Sequence, residues 1–190
     1  MIKKINKYTY AHGTRYMDNG SRNYDVAGQR LPSVTTILGR TKDDTYLRKW
    51  IAQKGKEEAE RIKTQSAVRG TSMHKYLENY VLGKGYEDLT ELGQTTKRMA
   101  QKVIEVGLAP VSGFYGSEVT LYYPGLYAGS TDLVGIHNDK ETIIDFKQAN
   151  RPKREEWIGD YKLQAGAYAM AHDYVHGSNI EQCVIMVCTP

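Results

Sequence analysis

The sequence predicts an α/β (α+β) domain in which a central mixed sheet is flanked by helices and preceded by an N-terminal helical region. Over residues 31–108, apolar residues recur at spacings of three and four, as they do on amphipathic helices. From residue 111, three successive segments alternate apolar and polar residues with the period of a β-strand. The helical period returns over residues 154–175, and the chain closes on the apolar run CVIMVC. This order is typical of an antiparallel meander joined to a helical crossover.

Length and composition predict one domain. A chain of 190 residues with 40% hydrophobic content can build one core, so we expect residues 1–190 to form a single unit. The start MIKKINKYTY carries no apolar signal segment, and no stretch has the length of a membrane span. Two cysteines, Cys183 and Cys188, are too few for a disulfide framework or an iron-sulfur cluster. We therefore expect a soluble protein of a reducing, cytoplasmic compartment, without a membrane partner.

Residues 1–30 predict a hairpin extension with a peripheral role. The segments TRYM and RNYDV flank Asn19 and Gly20, a pair that suits a turn with positive φ. Ser33 follows as the expected N-cap of a short helix that runs through Leu38 and ends at Gly39.

The rest of residues 31–108 predicts three further helices. Asp43 and Asp44 open the first of them, which carries Leu47, Trp50 and Ile51. The segment AVRGTSMHKYLENYV places His74 and Glu78 on one helix face, before Gly83 ends the run. A last helix is expected over residues 88–106.

Residues 111–190 predict the sheet and its crossover helix. The segments SEVTLYY, YAGSTDLVGI and ETIIDFKQ read as three antiparallel strands separated by short turns. We expect the final run CVIMVC to form a fully buried strand.

Two aspartates and a lysine on neighbouring strands predict a metal centre. Side chains two apart on a strand share a face, so Asp145 and Lys147 project together. The spacing 145 − 132 = 13 fits a hairpin that sets Asp132 across from Asp145. Two neighbouring carboxylates repel unless a cation lies between them, and Mg²⁺ prefers oxygen ligands. The alternative is a surface ion pair beside a turn residue, but both aspartates lie within apolar segments where an uncompensated carboxylate is costly.

The motifs resemble those of a known superfamily. The run GSTDLVG followed by DFK resembles the signature of PD-(D/E)XK nucleases, although the proline of that name is absent. The segments RGTSMHKYLE and QAGAY resemble the upstream helix motif and the QxxxY motif of the RecB-like branch. The run LPSVTTIL and the tryptophan helix after it are similar to the mitochondrial genome maintenance exonucleases and related phage and bacterial exonucleases. The resemblance covers residues 31–190, without the clustered cysteines of iron-sulfur members.

This resemblance implies a restriction-endonuclease-like core and a catalytic centre. Asp132 and Asp145 would hold Mg²⁺ or Mn²⁺, and Lys147 would lie beside the attacking water. His74 would add an imidazole ligand. The strand before Asp132 offers Glu118 as a further carboxylate. Gln164 and Tyr168, one helical turn apart, would contact the DNA backbone or brace the site.

Basic residues outside these motifs suggest phosphate contacts. Lys153 and Arg154 follow the DFK strand, and Arg69 opens the His74 motif. A solvated charge run explains the first two equally well. Fifteen tyrosines against two phenylalanines suit single-stranded nucleic acid, although many of these tyrosines would simply line a half-wet core.

The function that these observations predict is metal-dependent hydrolysis of DNA by an exonuclease acting on single strands or free ends. The partner would be DNA during replication, recombination or repair. Two alternatives stay open: a structure-specific endonuclease or junction resolvase, and a nucleic-acid-binding module that has lost catalysis.

Overall fold

A central sheet with helices on both faces forms the body of the protein in the computed structural model, which describes residues 2–190. The strands are β1 (Lys3–Lys4), β2 (Gly13–Asp18), β3 (Ser21–Val26), β4 (Gln29–Pro32), β5 (Val111–Tyr123), β6 (Tyr127–His137), β7 (Lys140–Gln148) and β8 (Gln182–Cys188). The helices are α1 (Val34–Thr41), α2 (Thr45–Lys54), α3 (Lys56–Val81), α4 (Glu91–Lys102) and α5 (Gly159–His176).

The five-stranded central sheet has the order β1-β5-β6-β7-β8. The strands β5, β6 and β7 form the predicted antiparallel meander, while β1 and β8 pair in parallel with β5 and β7. Asn138 and Asp139 adopt positive φ in the turn between β6 and β7, a conformation that Asn and Asp tolerate better than most residues. The α+β architecture expected from the sequence is therefore present, with a mixed sheet at its centre.

Alternation along β6 and β7 divides the core into two layers. Leu133 and Ile144 pack against α3 and α4 on one face of the sheet. Val134 and Ile143 pack on the other face, where Tyr168 of α5 belongs to the same cluster. All four strand residues are completely buried, which makes β6 and β7 the rigid centre of the molecule.

The C-terminal strand differs from the expectation of full burial. Met186 is the only buried residue of β8, and Cys183 is exposed. The reason is its position at the edge of the sheet, where it has a neighbour only on the β7 side. The crossover helix α5 begins at Gly159 rather than near residue 154, because a short 3₁₀ turn at Glu155–Trp157 precedes it.

The N-terminal hairpin is confirmed but its peripheral role is not. Asn19 and Gly20 both have positive φ in the β2–β3 turn. A second tight turn at Ala27 and Gly28 adds β4, which the sequence had not predicted, and completes a three-stranded sheet. Its buried face packs on Ala128 of β6. The small sheet is thus part of the body of the protein.

The helices follow the predicted order with shifted ends. The Ser33 hydroxyl accepts a hydrogen bond from the Thr36 N–H and caps α1 as expected. Gly39 does not end α1, because its backbone stays helical and the helix continues to Thr41. The last helix of this region begins at Glu91 rather than at residue 88, because the Thr90 hydroxyl accepts from the Gly93 N–H and caps it there. None of the helices described within residues 2–190 is long and apolar enough to cross a membrane.

Candidate active site

An open cleft of about 860 Å³ lies where α3, α5 and the small N-terminal sheet meet the central sheet. Glu118 of β5, Asp132 of β6 and Asp145 of β7 all line it. We call these three residues the acidic floor. They come from adjacent strands, so the meander itself gathers the carboxylates.

The ladder between β6 and β7 ends beside the acidic floor. Its last pair is Leu133 with Ile144, and Asp132 and Asp145 are the next residue beyond that pair on each strand. Beyond that pair, the Phe146 N–H donates to Asp132 Oδ2, and the Thr131 hydroxyl donates to the Ile144 carbonyl at 3.3 Å. Side chains thus replace the backbone hydrogen bonds, and the Asp132 carboxylate lies against the strand that carries Asp145.

Glu118 is held beside Asp132 by the β5–β6 register. Ser117 pairs with Leu133 and Val119 with Thr131, which places Glu118 alongside Asp132. Glu118 has a φ of 53°, a left-handed conformation that costs energy for a residue with a Cβ. Backbone strain of this kind clusters at functional sites, where the rest of the structure maintains it.

His74 reaches the acidic floor from α3. Its Nδ1 lies 2.9 Å from Asp132 Oδ1. Ligand atoms of His74, Glu118 and Asp132 all lie within 4.8 Å of one another. Burial opposes the charged imidazolium, but the hydrogen bond and the charge of Asp132 outweigh it and raise the pKa of His74.

The negative charges of the acidic floor are not fully balanced by the positive groups around them. Burial and then the charge of Asp132 raise the pKa of Asp145, although Lys147 acts in the opposite direction. The same two causes raise the pKa of Glu118 from 4.5 to about 7. Carboxylates whose ionised forms are disfavoured by one another, with an imidazole at ligand distance, fit a hard divalent cation. His74, Glu118 and Asp132 therefore suit Mg²⁺ or Mn²⁺, with Asp145 beside them in the same cleft.

Lys147 is held by an ion pair and by α5. Its ammonium contacts the Asp145 carboxylate, donates to Gln164 Oε1 at 3.1 Å and lies 5.2 Å from the centre of the Tyr161 ring. Gln164 Nε2 in turn donates to the Tyr168 hydroxyl at 3.0 Å. Gln164 and Tyr168 are buried, so their contacts are those of a brace for Lys147.

Gly129 makes room for this brace. A Cβ at Gly129 would lie 2.5 Å from Cε1 of the Tyr168 ring and 2.6 Å from its hydroxyl. Only a residue without a side chain lets Tyr168 pack so closely on β6. The packing of Tyr168 thus explains the glycine in the run AGST before Asp132.

The cleft brings together most of the residues expected from the sequence, but not Arg69, Lys153 and Arg154. Lys153 and Arg154 lie in the exposed segment after β7, where the Arg154 guanidinium lies 5.2 Å from the Trp157 ring centre. The Arg69 guanidinium donates to Asn150 Oδ1, and its Nε is buried without a hydrogen-bond partner. None of these three residues lines the cleft. Glu78 does line it, paired with Lys75 at 3.1 Å.

The cleft-lining residues that sequence reasoning missed include Arg15, Arg22 and Tyr86. Arg15 and Arg22 belong to the hairpin assigned a peripheral role, and Tyr86 lies in the connection between α3 and α4. A signal for the arginines was present, because both occupy positions that share a strand face with Tyr24. Nothing in the sequence showed that this face points toward Asp132.

Comparison with known proteins found weak similarity to an exonuclease. No model of a known protein family matches the chain. The chain is 28% identical over 190 residues to mitochondrial genome maintenance exonuclease 1 of Mus musculus, a match that covers 92% of this chain and 55% of that protein. It is 26% identical over 180 residues to the protein of the same name from Xenopus tropicalis, covering 88% and 50%. The chain spans about half the length of the curated relatives it matches.

Proposed function

We propose that this chain is a metal-dependent deoxyribonuclease that acts as an exonuclease in genome maintenance. The observation that carries the proposal is the acidic floor with His74 and Lys147 on it. Such a set of oxygen ligands with an imidazole and an amine suits hydrolysis of a phosphodiester bond. The names of the two relatives point to the same activity, and an organelle origin like theirs is compatible with this chain.

Asp132, Asp145, His74 and Glu118 are the proposed metal ligands. When bound, Mg²⁺ or Mn²⁺ would polarise the scissile phosphate and lower the pKa of a coordinated water. Two hydrogen bonds orient the Asp132 carboxylate. The Phe146 N–H donates to Oδ2, and Oδ1 is hydrogen-bonded to Nδ1 of His74. The Asp145 carboxylate forms an ion pair with the Lys147 ammonium.

Lys147 is the proposed catalytic cation. Its ammonium stands beside the floor, where it can orient water and neutralise charge that develops on the phosphate. Gln164 and Tyr168 are buried positioning residues in this proposal, since Gln164 accepts from Lys147 and Tyr168 accepts from Gln164. The pattern of Asp132, Asp145 and Lys147 is the reason for placing the chain with the RecB-like PD-(D/E)XK nucleases.

Single-stranded DNA is the proposed substrate. The acidic floor lies within a cleft rather than on a protruding face, and a flexible single strand can enter a recess more easily than a stiff duplex. Residues 1–190 would act as one catalytic unit, because the small N-terminal sheet packs directly on β6. Arg69, Lys153 and Arg154 are proposed contacts for phosphates outside the cleft.

A cleavage assay on labelled DNA tests this function. With Mg²⁺, the protein should degrade end-labelled single-stranded DNA, and a chelator should stop the reaction. Lys147→Ala should abolish cleavage while much of the DNA binding remains. Lys140→Ala is the matched control, because Lys140 is an exposed residue at the other end of the same strand.

The substrate design separates the possible outcomes. A circular single strand should resist an exonuclease, whereas its cleavage would indicate an endonuclease instead. Labels at either end would reveal polarity. Full activity of Lys147→Ala, or activity that survives chelation, would refute the proposed chemistry.

A further inference from the structure

The cleft has two unlike walls above the acidic floor. The small N-terminal sheet contributes Arg15 of β2 and Arg22 of β3 to one side. Another part of the lining comes from α3 and from the connection between α3 and α4, which contributes Tyr86. A nucleotide also has two unlike sides, an anionic phosphate and a flat base.

The two arginines form a cationic surface with free donors. In the β2–β3 register, Arg15 pairs with Tyr24 and Met17 with Arg22, so both guanidinium groups belong to one face of the hairpin. Within residues 2–190, neither of them has an acidic partner. Arg30 on the same small sheet does have one, since its Nε lies 3.4 Å from Asp25 Oδ1. We call Arg15 and Arg22 the arginine wall.

Tyr24 connects the arginine wall to the acidic floor. Its ring is buried on Ala128, four residues before Asp132 on β6, and Tyr24 lines the same cleft. Burial raises the pKa of Tyr24, and the charges of Arg22 and Arg15 partly oppose that rise. Arg15, Arg22 and Tyr24 therefore line the cleft together, and the two guanidinium groups act on the Tyr24 hydroxyl.

Tyr86 is held in place in the connection between α3 and α4. Its ring meets Tyr76 edge to face, with centroids 4.6 Å apart. The Tyr76 hydroxyl accepts a hydrogen bond from the Asp88 N–H at 3.0 Å, which anchors the connection. Tyr86 remains 37% exposed, enough surface for a base to stack on. The cation nearby, Lys75, is paired with Glu78, so this side offers little free positive charge.

We propose that a single DNA strand lies in the cleft with its phosphates on Arg15 and Arg22 and with a base on Tyr86. This inference rests on the proposed function and adds the orientation of the substrate to it. Arginine presents a planar fork of donors that matches phosphate oxygens, and aromatic rings stack on any base. The strand would be held without preference for sequence.

Binding measurements at several salt concentrations test the arginine wall. The protein would carry Lys147→Ala, so that a labelled oligothymidylate stays intact in Mg²⁺. The double variant Arg15→Gln with Arg22→Gln should bind more weakly, and its log–log salt dependence should become shallower by about 1.4, at roughly 0.7 for each lost phosphate contact on a single strand. Replacing both arginines by lysine should restore most of that slope. Arg30→Gln, on the same small sheet, should match the parent.

An abasic oligonucleotide tests the Tyr86 side. Tyr86→Ala should weaken binding of the normal strand by about tenfold, within the range measured for base stacking, without changing the salt slope. An oligonucleotide without bases should bind equally to both proteins. Tyr86→Phe should behave like the parent, because it keeps the ring.

The failures can be told apart. An unchanged affinity and salt slope in the double arginine variant would overturn the arginine wall while cleavage by the wild-type protein continues. Equal loss of normal and abasic binding in Tyr86→Ala would overturn the stacking role. A wild-type protein that neither binds nor cleaves single-stranded DNA would overturn this inference together with the proposed function.

Discussion

Glu118 is expected to destabilise the protein when no metal is bound. Its carboxylate adds charge beside Asp132, and burial together with that charge raises its pKa from 4.5 to about 7. A folded-state pKa above the unfolded value means that the folded protein retains the proton longer. Stability from this group is therefore lost as the pH rises from 4.5 to about 7. Glu118→Gln should remove that loss.

The size of the effect follows from the shift and from exposure. A rise from 4.5 to about 7 corresponds to about 3 kcal/mol if all of it reached the free energy of unfolding. Although burial around the Glu118 carboxylate raises this pKa, the residue as a whole remains exposed to solvent, and screening by water reduces the expected gain to about 1 kcal/mol. For a chain of this size, that is a rise in melting temperature of about 2–4 °C.

Thermal unfolding with a chelator provides the assay. At pH 8, Glu118→Gln should melt above the wild-type protein, whereas at pH 5 the two should be similar because Glu118 is then protonated. Added Mn²⁺ should reverse the order at pH 8, since the wild-type protein has the additional carboxylate ligand. A difference that is the same at both pH values, or a lower melting temperature of the variant at pH 8, would refute the reasoning.

Two further predictions concern the brace and a buried imidazole. Gly129→Ala should displace Tyr168 and lower the free energy of unfolding by about 1–3 kcal/mol. Because the brace then no longer positions Lys147, kcat should fall more than KM changes. Gly166→Ala on α5, where a Cβ meets open space, should have neither effect. For His172, burial and then His176 lower the pKa from 6.5 to about 4, so stability should fall by about 1.4 kcal/mol per pH unit as the pH drops from 6.5 toward 4. Denaturant titrations at pH 7 and 4.5 should show His172→Gln losing part of that dependence, and an unchanged pH slope would contradict this cause.

The meander and the centre of the acidic floor could be predicted from the chain itself. Strand periodicity is local, because alternate side chains face opposite sides, and it placed Asp132 and Asp145 on neighbouring strands. The pairing of Leu133 with Ile144 confirms that neighbourhood. Lys147 followed from the same rule, since it is two residues beyond Asp145 and contacts its carboxylate.

The end of α1 and the burial of β8 could not be predicted from local sequence patterns. Gly39 is a common helix-ending residue, yet α1 continues past it because a glycine backbone also accepts helical angles. The run CVIMVC has the composition of a central strand, but its place at the edge leaves Cys183 exposed. Hydrophobicity indicates that a strand exists, whereas burial depends on how many neighbours the fold supplies.

The sequence by itself determined the meander, its two aspartates and the adjacent lysine, because these follow from spacings of a few residues. Only the tertiary structure decided that Glu118 adopts a left-handed backbone beside Asp132, and that the Arg15 and Arg22 face of the hairpin turns toward the cleft. Both depend on contacts between segments far apart in the chain, above all the packing of the small sheet on β6. Such contacts follow from the balance of many burial energies rather than from any local pattern.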